Sequence, residues 1–238
     1  MGGLIEVAAG VAAAAGAAWA VRGRSSTLFG PSVWHGDRRR RAIALTFDDG
    51  PSESTPQLLE ALERLGVRAT FFQCGCHAER LPEIAREVSA RGHEIGNHTF
   101  GHPALWMRSP EFVEREIEVA QRVLDQIHGA PPKYFRPTYG ARWFGMRAAQ
   151  RRHGLLGVMW SAIGLDWKLP AEAVAKRLEQ RAAHGAIFCL HDGRELRTEP
   201  DIGATIEAVE RLVPRLRGEG YGFETISEVL CQKNLSGG

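Results

Sequence analysis

Apolar and polar positions follow two rhythms along this chain. Short apolar runs break off at polar clusters, and between them lie segments where apolar residues return every three or four positions. The short runs predict strands near 42–47, 68–73, 93–96, 133–136, 155–160, 186–191 and 222–225. Leu58, Leu59, Leu62 and Leu65 form one face of a helix that Thr55-Pro56 opens and Gly66 closes. Phe112, Ile117, Val119, Val123, Leu124 and Ile127 mark a longer helix, opened by Ser109-Pro110-Glu111 and ending near Gly129 and Pro131. Leu169-Pro170 and Glu199-Pro200 announce two more helices. Gly92, Gly154, Gly185 and Gly220 each precede a strand.

Strand–helix units of this size predict an α/β protein with a mostly parallel sheet under helical cover. An open doubly wound sheet fits the alternation as well, but the polar clusters favour a barrel. Asp48/Asp49, His98, Arg136, Asp166 and His191 each follow a different predicted strand. One site gathers residues from that many strand ends most simply at the mouth of a closed or nearly closed barrel.

The N-terminus departs from both rhythms. Leu4 to Val21 is almost continuously apolar, rich in Ala and Gly, with Glu6 near its start. The stretch is short for a membrane span and lacks the basic leader of a signal peptide. We expect a hydrophobic membrane anchor in 1–24, with a cleaved signal or a soluble helix as alternatives. Arg22, Arg24 and the run Arg38-Arg39-Arg40-Arg41 follow it, and the positive-inside rule places such charges in the cytoplasm. The expected location is therefore membrane-associated on an unassigned side, with secreted or cytoplasmic forms as alternatives. A basic linker at 25–41, a catalytic domain at 42–231 and a tail at 232–238 complete the expected division.

Bulk composition narrows the function. Of 238 residues, 44% are apolar and 24% charged, which excludes a disordered chain. A net charge of +2, with no basic stripe interleaved with aromatics, argues against nucleic-acid binding. Cys74 and Cys76 are too close for an ordinary disulfide, and no paired CxxC motif suggests structural zinc. Cys74 and Cys189 read as small buried strand residues. Nothing here speaks to oligomeric state.

The candidate chemistry lies in the polar clusters. In Ile43-Ala44-Leu45-Thr46-Phe47-Asp48-Asp49-Gly50, two carboxylates end an apolar strand. Neighbours in a strand face opposite ways, but a turn at Gly50-Pro51 can aim both at one cavity. One would then hold a metal and the other move a proton; a turn or helix-cap pair is the plain alternative. His98 and His102, spaced i, i+4 in an irregular glycine-containing loop, suit a divalent metal. His93, inside a strand, fits a hydrogen-bonding partner behind a ligand better than a ligand. His35, His77, His128, His153 and His184 read as structural or solvent-facing. Arg136 at a barrel mouth needs a carboxylate, and Asp166 is placed to bridge it to Asp48 and orient the base; a fold-stabilising ion pair is the alternative. His191 ends the strand Ile187-Phe188-Cys189-Leu190 and is a separate candidate acid. Together these are the parts of a metal-assisted hydrolase.

These segments, from about Ala42 to Leu230, resemble the polysaccharide deacetylase family, the NodB-homology or carbohydrate esterase family 4 domain. Thr46-Phe47-Asp48-Asp49-Gly50 is similar to its first motif, which implies Asp48 as base and Asp49 as metal ligand. His98-Thr99-Phe100-Gly101-His102 resembles the second, which supplies two histidine ligands. Arg136-Pro137-Thr138-Tyr139-Gly140 resembles the third, which lines the groove and orients the base. Asp166-Trp167 resembles the end of the fourth. Leu190-His191 resembles the fifth, with a general acid and a leucine at the acetyl-methyl pocket. Thr138 stands where the family often has proline, and Ile163 where it often has an additional aspartate. The resemblance implies a distorted (β/α) barrel of about seven parallel strands. It also implies a metal-dependent hydrolase that removes N-acetyl groups from an amino-sugar glycan such as chitooligosaccharide or peptidoglycan. Asp49, His98 and His102 would hold the metal, with Zn²⁺ first and Co²⁺ or Mn²⁺ as substitutes. Asp48 and His191 would act as base and acid, aided by Arg136 and Asp166. The Tyr139 backbone N–H would hold the oxyanion, and Trp167 and Leu190 would shape the methyl pocket. Trp106, Tyr139 and Trp143 are candidate sugar contacts. An O-acetyl esterase and a membrane-tethered carbohydrate-binding pseudoenzyme remain alternatives.

Overall fold

A computed structural model describes residues 2–230; the expected 232–238 tail lies outside the described residues. The chain begins with α1 (Gly2–Arg22) and continues through β1 (Ser32–Val33), β2 (Ala42–Asp48), α2 (Thr55–Arg64), β3 (Thr70–Gln73), α3 (Gly75–Arg80) and α4 (Pro82–Ala90). Next come β4 (Glu94–Asn97), α5 (Pro110–His128), β5 (Tyr134–Phe135), α6 (Met146–His153), β6 (Leu156–Val158) and β7 (Ala162–Ile163). α7 (Ala171–Glu179), β8 (Ala186–His191), α8 (Gly203–Gly218), β9 (Gly222–Phe223) and α9 (Ile226–Val229) follow among the described residues. The starts of α5 and α7 follow the predicted signals, whereas α8 begins at Gly203, a few residues past the expected Glu199-Pro200 start. Ser109 accepts the Phe112 N–H at the start of α5, and Gly129 closes it at φ 72°. At α2 the start shifts by one residue: Ser54 is the cap, and the Thr55 hydroxyl serves Ser52 and Asp192 instead.

All strand pairs are parallel, in the order β1-β6-β5-β4-β3-β2-β8-β7, with β9 added to β2. The sheet curls into an incomplete, distorted barrel; β1 and β7 end it without pairing to each other. Two strands, β1 and β7, are additional to the predicted set.

Strand alternation sorts the core into two layers. Ile43, Leu45 and Phe47 of β2, with Phe188 and Leu190 of β8, face outward into a cluster with α2, α7 and α8. Ala42, Ala44 and Ile187 face inward with Phe72, Tyr134 and Val158, and α9 closes this interior through Ile226 and Val229. The inward series of β2 therefore continues through Thr46 to Asp48. That of β8 continues through Cys189 to His191. Their polar ends meet at the C-terminal mouth.

The expected membrane anchor is corrected. Among the described residues no helix is long and apolar enough to cross a membrane. α1 is built mostly of Ala and Gly, which offer little apolar surface per residue. Its last turn is tied to the rest of the chain. Ala20 is buried, Arg142 donates its backbone N–H to Val21 O at 2.9 Å, and Ser26 Oγ donates to Ala20 O at 3.0 Å.

Candidate active site

The cavity at the barrel mouth has a volume of about 660 Å³ and is floored by Asp48, Asp49, His98, His102, Cys189 and His191. Asp48 and His191 are direct neighbours across the parallel β2–β8 ladder. Asp49 follows the strand with φ 72°, which turns its side chain back toward the same space. The turn leaves no room for a larger residue at Gly50, where a Cβ would fall 2.0 Å from Asp192 Oδ2.

Asp49 Oδ1 lies 3.4 Å from His98 Nε2 and 3.0 Å from His102 Nε2. One ligand atom from each of the three falls within 4.8 Å of the others, and all three residues are buried. His98 Nδ1 donates to Arg136 O at 2.7 Å, so its Nε2 is the free lone pair. The loop is held by its own side chains: Asn97 Oδ1 accepts from Thr99 N at 2.9 Å and Thr99 Oγ1 from His102 N at 3.2 Å. Glu195 donates its backbone N–H to Asp49 Oδ2 at 3.0 Å. Burial opposes ionisation of Asp49, but hydrogen bonds from His102 and His98 outweigh it and hold the carboxyl well below its ordinary range. One anionic oxygen and two imidazole nitrogens this close together fit a divalent cation.

Arg136, fully buried, donates to Asp48 Oδ1 at 2.7 Å, Thr46 Oγ1 at 2.6 Å, and Val158 O at 2.9 Å. Its guanidinium stacks over Phe72 at 4.1 Å. The expected Asp166 bridge between Arg136 and Asp48 is absent, because Arg136 reaches Asp48 directly. Asp166 turns to β8 instead. It accepts from His191 Nδ1 at 2.9 Å, His191 N at 2.9 Å and Thr205 Oγ1 at 2.7 Å. Burial pulls the His191 pKa down, but the Asp166 charge and hydrogen bond raise it, with Asp49 and Asp48 adding to the effect, to about 9. Burial likewise opposes ionisation of Asp166, and the His191 charge and hydrogen bond reverse that.

Other expectations shift. Leu190 does not line the cavity: alternation turns it outward, fully buried in the helix-covered cluster. Trp167 does line it, edge-on to His191 at 4.9 Å, beside Trp160 and Ile163. Tyr139 stands at the rim with φ 55°, against His102 at 4.9 Å, and its hydroxyl donates to Glu195 at 3.1 Å. Trp106 and Trp143 do not line the cavity; Trp143 packs on Phe29 and Phe144. His93 caps the sheet rather than backing a ligand, its Nδ1 accepting from Ala69 N at 3.1 Å at the far end of β4 from His98. Arg22, Cys189, Arg194 and Glu195 also line the site. The strand period places Cys189 inward; no local signal pointed to the other three.

The chain belongs to the polysaccharide deacetylase family, which it matches over residues 35–158. It is 36% identical over 202 residues to a chitooligosaccharide deacetylase of Azorhizobium caulinodans, covering 79% of this chain and 94% of that protein. The solved structure of the Bc1960 peptidoglycan N-acetylglucosamine deacetylase superimposes with a TM-score of 0.78 at 29% identity, covering 83% of this chain and 92% of that one. BA3943 of Bacillus anthracis, described as a CE4 family pseudoenzyme, has a TM-score of 0.76 at 23% identity, covering 84% of this chain and 68% of that one, a likeness of fold alone.

Proposed function

We infer that the protein is a metal-dependent hydrolase that removes N-acetyl groups from an amino-sugar glycan, with chitooligosaccharide or peptidoglycan as the substrate class. The observation that carries this reading is the joint presence of an Asp/His/His cluster and two separately braced titratable groups, Asp48 and His191, in one cavity. The chitooligosaccharide and peptidoglycan deacetylases among its relatives supply the substrate class.

A divalent cation, Zn²⁺ by preference for the N/O donor set, would be held by Asp49, His98 and His102 and would supply Lewis acidity toward the amide carbonyl and acidify water. Asp48 takes the proton of the attacking water, with Arg136 fixing the direction of its carboxylate. His191 Nε2 gives a proton to the departing nitrogen, and Asp166 keeps that imidazole charged and oriented. Tyr139 offers its backbone N–H to the carbonyl oxygen as negative charge develops there. Trp167 and Ile163 exclude water from the acetyl methyl. An amine leaves poorly unless protonated, so a histidine held charged near neutral pH suits an amide better than an O-acetyl ester. By the same reading, residues 42–231 form the catalytic unit.

The test is acetate release by the full chain from chitooligosaccharides, peptidoglycan fragments and O-acetylated sugars, before and after chelation and with Zn²⁺, Co²⁺ or Mn²⁺ restored. Activity on N-acetyl substrates that chelation abolishes and Zn²⁺ restores is expected. Full activity in demonstrably metal-free protein would refute the reading.

A further inference from the structure

Cys189 has no part in the proposed hydrolysis, yet it sits inside the cavity. It occupies the inward position of β8 immediately before His191, and the β2–β8 register sets it beside Thr46, one inward step below Asp48. Its Sγ lies 3.4 Å from Asp48 Oδ2, the oxygen that Arg136 leaves free. His191 uses Nδ1 on Asp166, which leaves Nε2 as its other donor atom. One carboxylate oxygen, one sulfur and one imidazole nitrogen thus lie within 4.8 Å of one another, in a group that shares no residue with Asp49, His98 and His102. All three residues line the cavity.

We propose that Asp48, Cys189 and His191 form a second cation site, selective for thiophilic divalent ions such as Zn²⁺ and Cd²⁺, whose occupation blocks the reaction at the neighbouring site. The selectivity follows from the donor set, because thiolate and imidazole favour Zn²⁺ and Cd²⁺ over Mg²⁺ or Ca²⁺. Burial and the nearby Asp48 carboxylate keep the thiol protonated, so sulfur becomes a ligand by exchanging its proton for the cation. The protons from sulfur and from His191 Nε2 pass to solvent, and no group changes oxidation state. The Arg136 guanidinium, 2.7 Å from Asp48, is a fixed positive charge that makes this equivalent weaker than the first. Binding needs only these three residues. The inhibitory effect rests on the proposed function, because the cation takes the atoms assigned as base and acid.

The metal-free full-length protein is titrated with Cd²⁺, with stoichiometry read by calorimetry and thiolate bonding by the sulfur-to-cadmium charge-transfer absorption. The wild type should take a second, weaker equivalent that carries a band, whereas Cys189→Ala keeps the first equivalent and loses the second with its band. Any band remaining in Cys189→Ala reports Cys74, Cys76 or Cys231 and is subtracted. In parallel, excess Zn²⁺ should suppress acetate release by the wild type. Cys189→Ala should raise the half-inhibiting concentration by about tenfold or more, since losing a ligand costs no less than losing a group behind one. Identical stoichiometry and bands in the two proteins would overturn the site and leave Cys189 a hydrogen-bond donor to Asp48. If the variant does not fold, zinc-edge absorption on the doubly loaded wild type decides, and a second equivalent without sulfur scattering overturns it equally. A sulfur-bound second cation that leaves acetate release intact would overturn the inhibition. If no acetate is released at any cation level, the proposed function fails while the spectroscopic result on the site stands.

Discussion

Asp49, His98 and His102 sit on loop backbone, whereas Asp48 and His191 end two strands paired in register. The loop group relies on unusual backbone: Asp49, Thr99 and His102 all have positive φ without being glycine. Such conformations cost about 1–3 kcal/mol each and persist where surrounding bonds over-determine them. Here Asn97, Thr99 and the Glu195 N–H do so. The strand group needs no such distortion, since the ladder already places its side chains side by side. Its cost is electrostatic instead: each titratable group is braced by an opposite charge, Asp48 by Arg136 and the partly buried His191 by Asp166. On the proposed function, the loop group would offer lone pairs to a cation and the strand group would move protons. The contrast teaches that one cavity can place two groups of polar side chains by two kinds of backbone, strained loop and regular ladder.

If the division is right, removing a loop ligand removes the cation and everything that depends on it. Asp49→Asn should lose bound metal and reduce acetate release to background, as read by metal analysis beside an activity assay. Retention of a full equivalent of metal would erase the distinction between the groups.

Changes on the strand side should spare the metal. Asp48→Asn and His191→Ala should each keep the first equivalent and the melting transition while turnover falls by about 10²-fold or more, the scale of a lost general base or acid. If Asp48→Asn alone lost the metal, Asp48 and Asp49 would exchange or share roles.

Arg136 tests the bracing. Arg136→Met strands the buried Asp48 carboxylate and should destabilise the fold by about 3–5 kcal/mol. Adding Asp48→Asn should restore part of that in denaturant melts, which a purely steric role for Arg136 would not produce.

The smallest effect is a displacement in pH. His191 is held near 9, so activity that needs its proton should decline as pH rises through that value. Asp166→Asn removes the largest raising influence, and the basic limb should move to lower pH. The sign for stability follows from linkage. A group raised in the fold contributes fully below its unfolded pKa of about 6.5 and loses that contribution as pH rises through the folded value. Between pH 6.5 and 9, wild type should therefore lose more thermal stability than Asp166→Asn. An unmoved limb would detach Asp166 from His191.

The two groups differ in how far the sequence discloses them. His98 and His102 lie four residues apart in a glycine-bearing loop, and the Asp48-Asp49 pair ends an apolar run, so both are visible in local spacing. The partnerships behind them are not. Arg136 was expected to reach Asp48 through Asp166, but its reach is set by where β5 lies across the barrel interior. Leu190 resembled a pocket residue by motif; its outward direction is a matter of strand parity, which is readable only once His191 is known to face in. The N-terminal apolar stretch suggested a membrane anchor because its composition hides the docking of Ala20 and Val21 near Ser26 and Arg142.

From the sequence alone came the α/β alternation, the parallel sheet, the positions of seven strands and the residue types of a metal-assisted hydrolase. These follow from periodicity and turn chemistry, which act over a few residues. Tertiary structure decided that the barrel stays open between β1 and β7, that Asp166 pairs with His191 rather than with Arg136 and Asp48, and that Cys189 shares the floor with Asp48 and His191. Each of these depends on which strands become neighbours and in what register, and pairing across more than a hundred residues leaves no mark on local spacing.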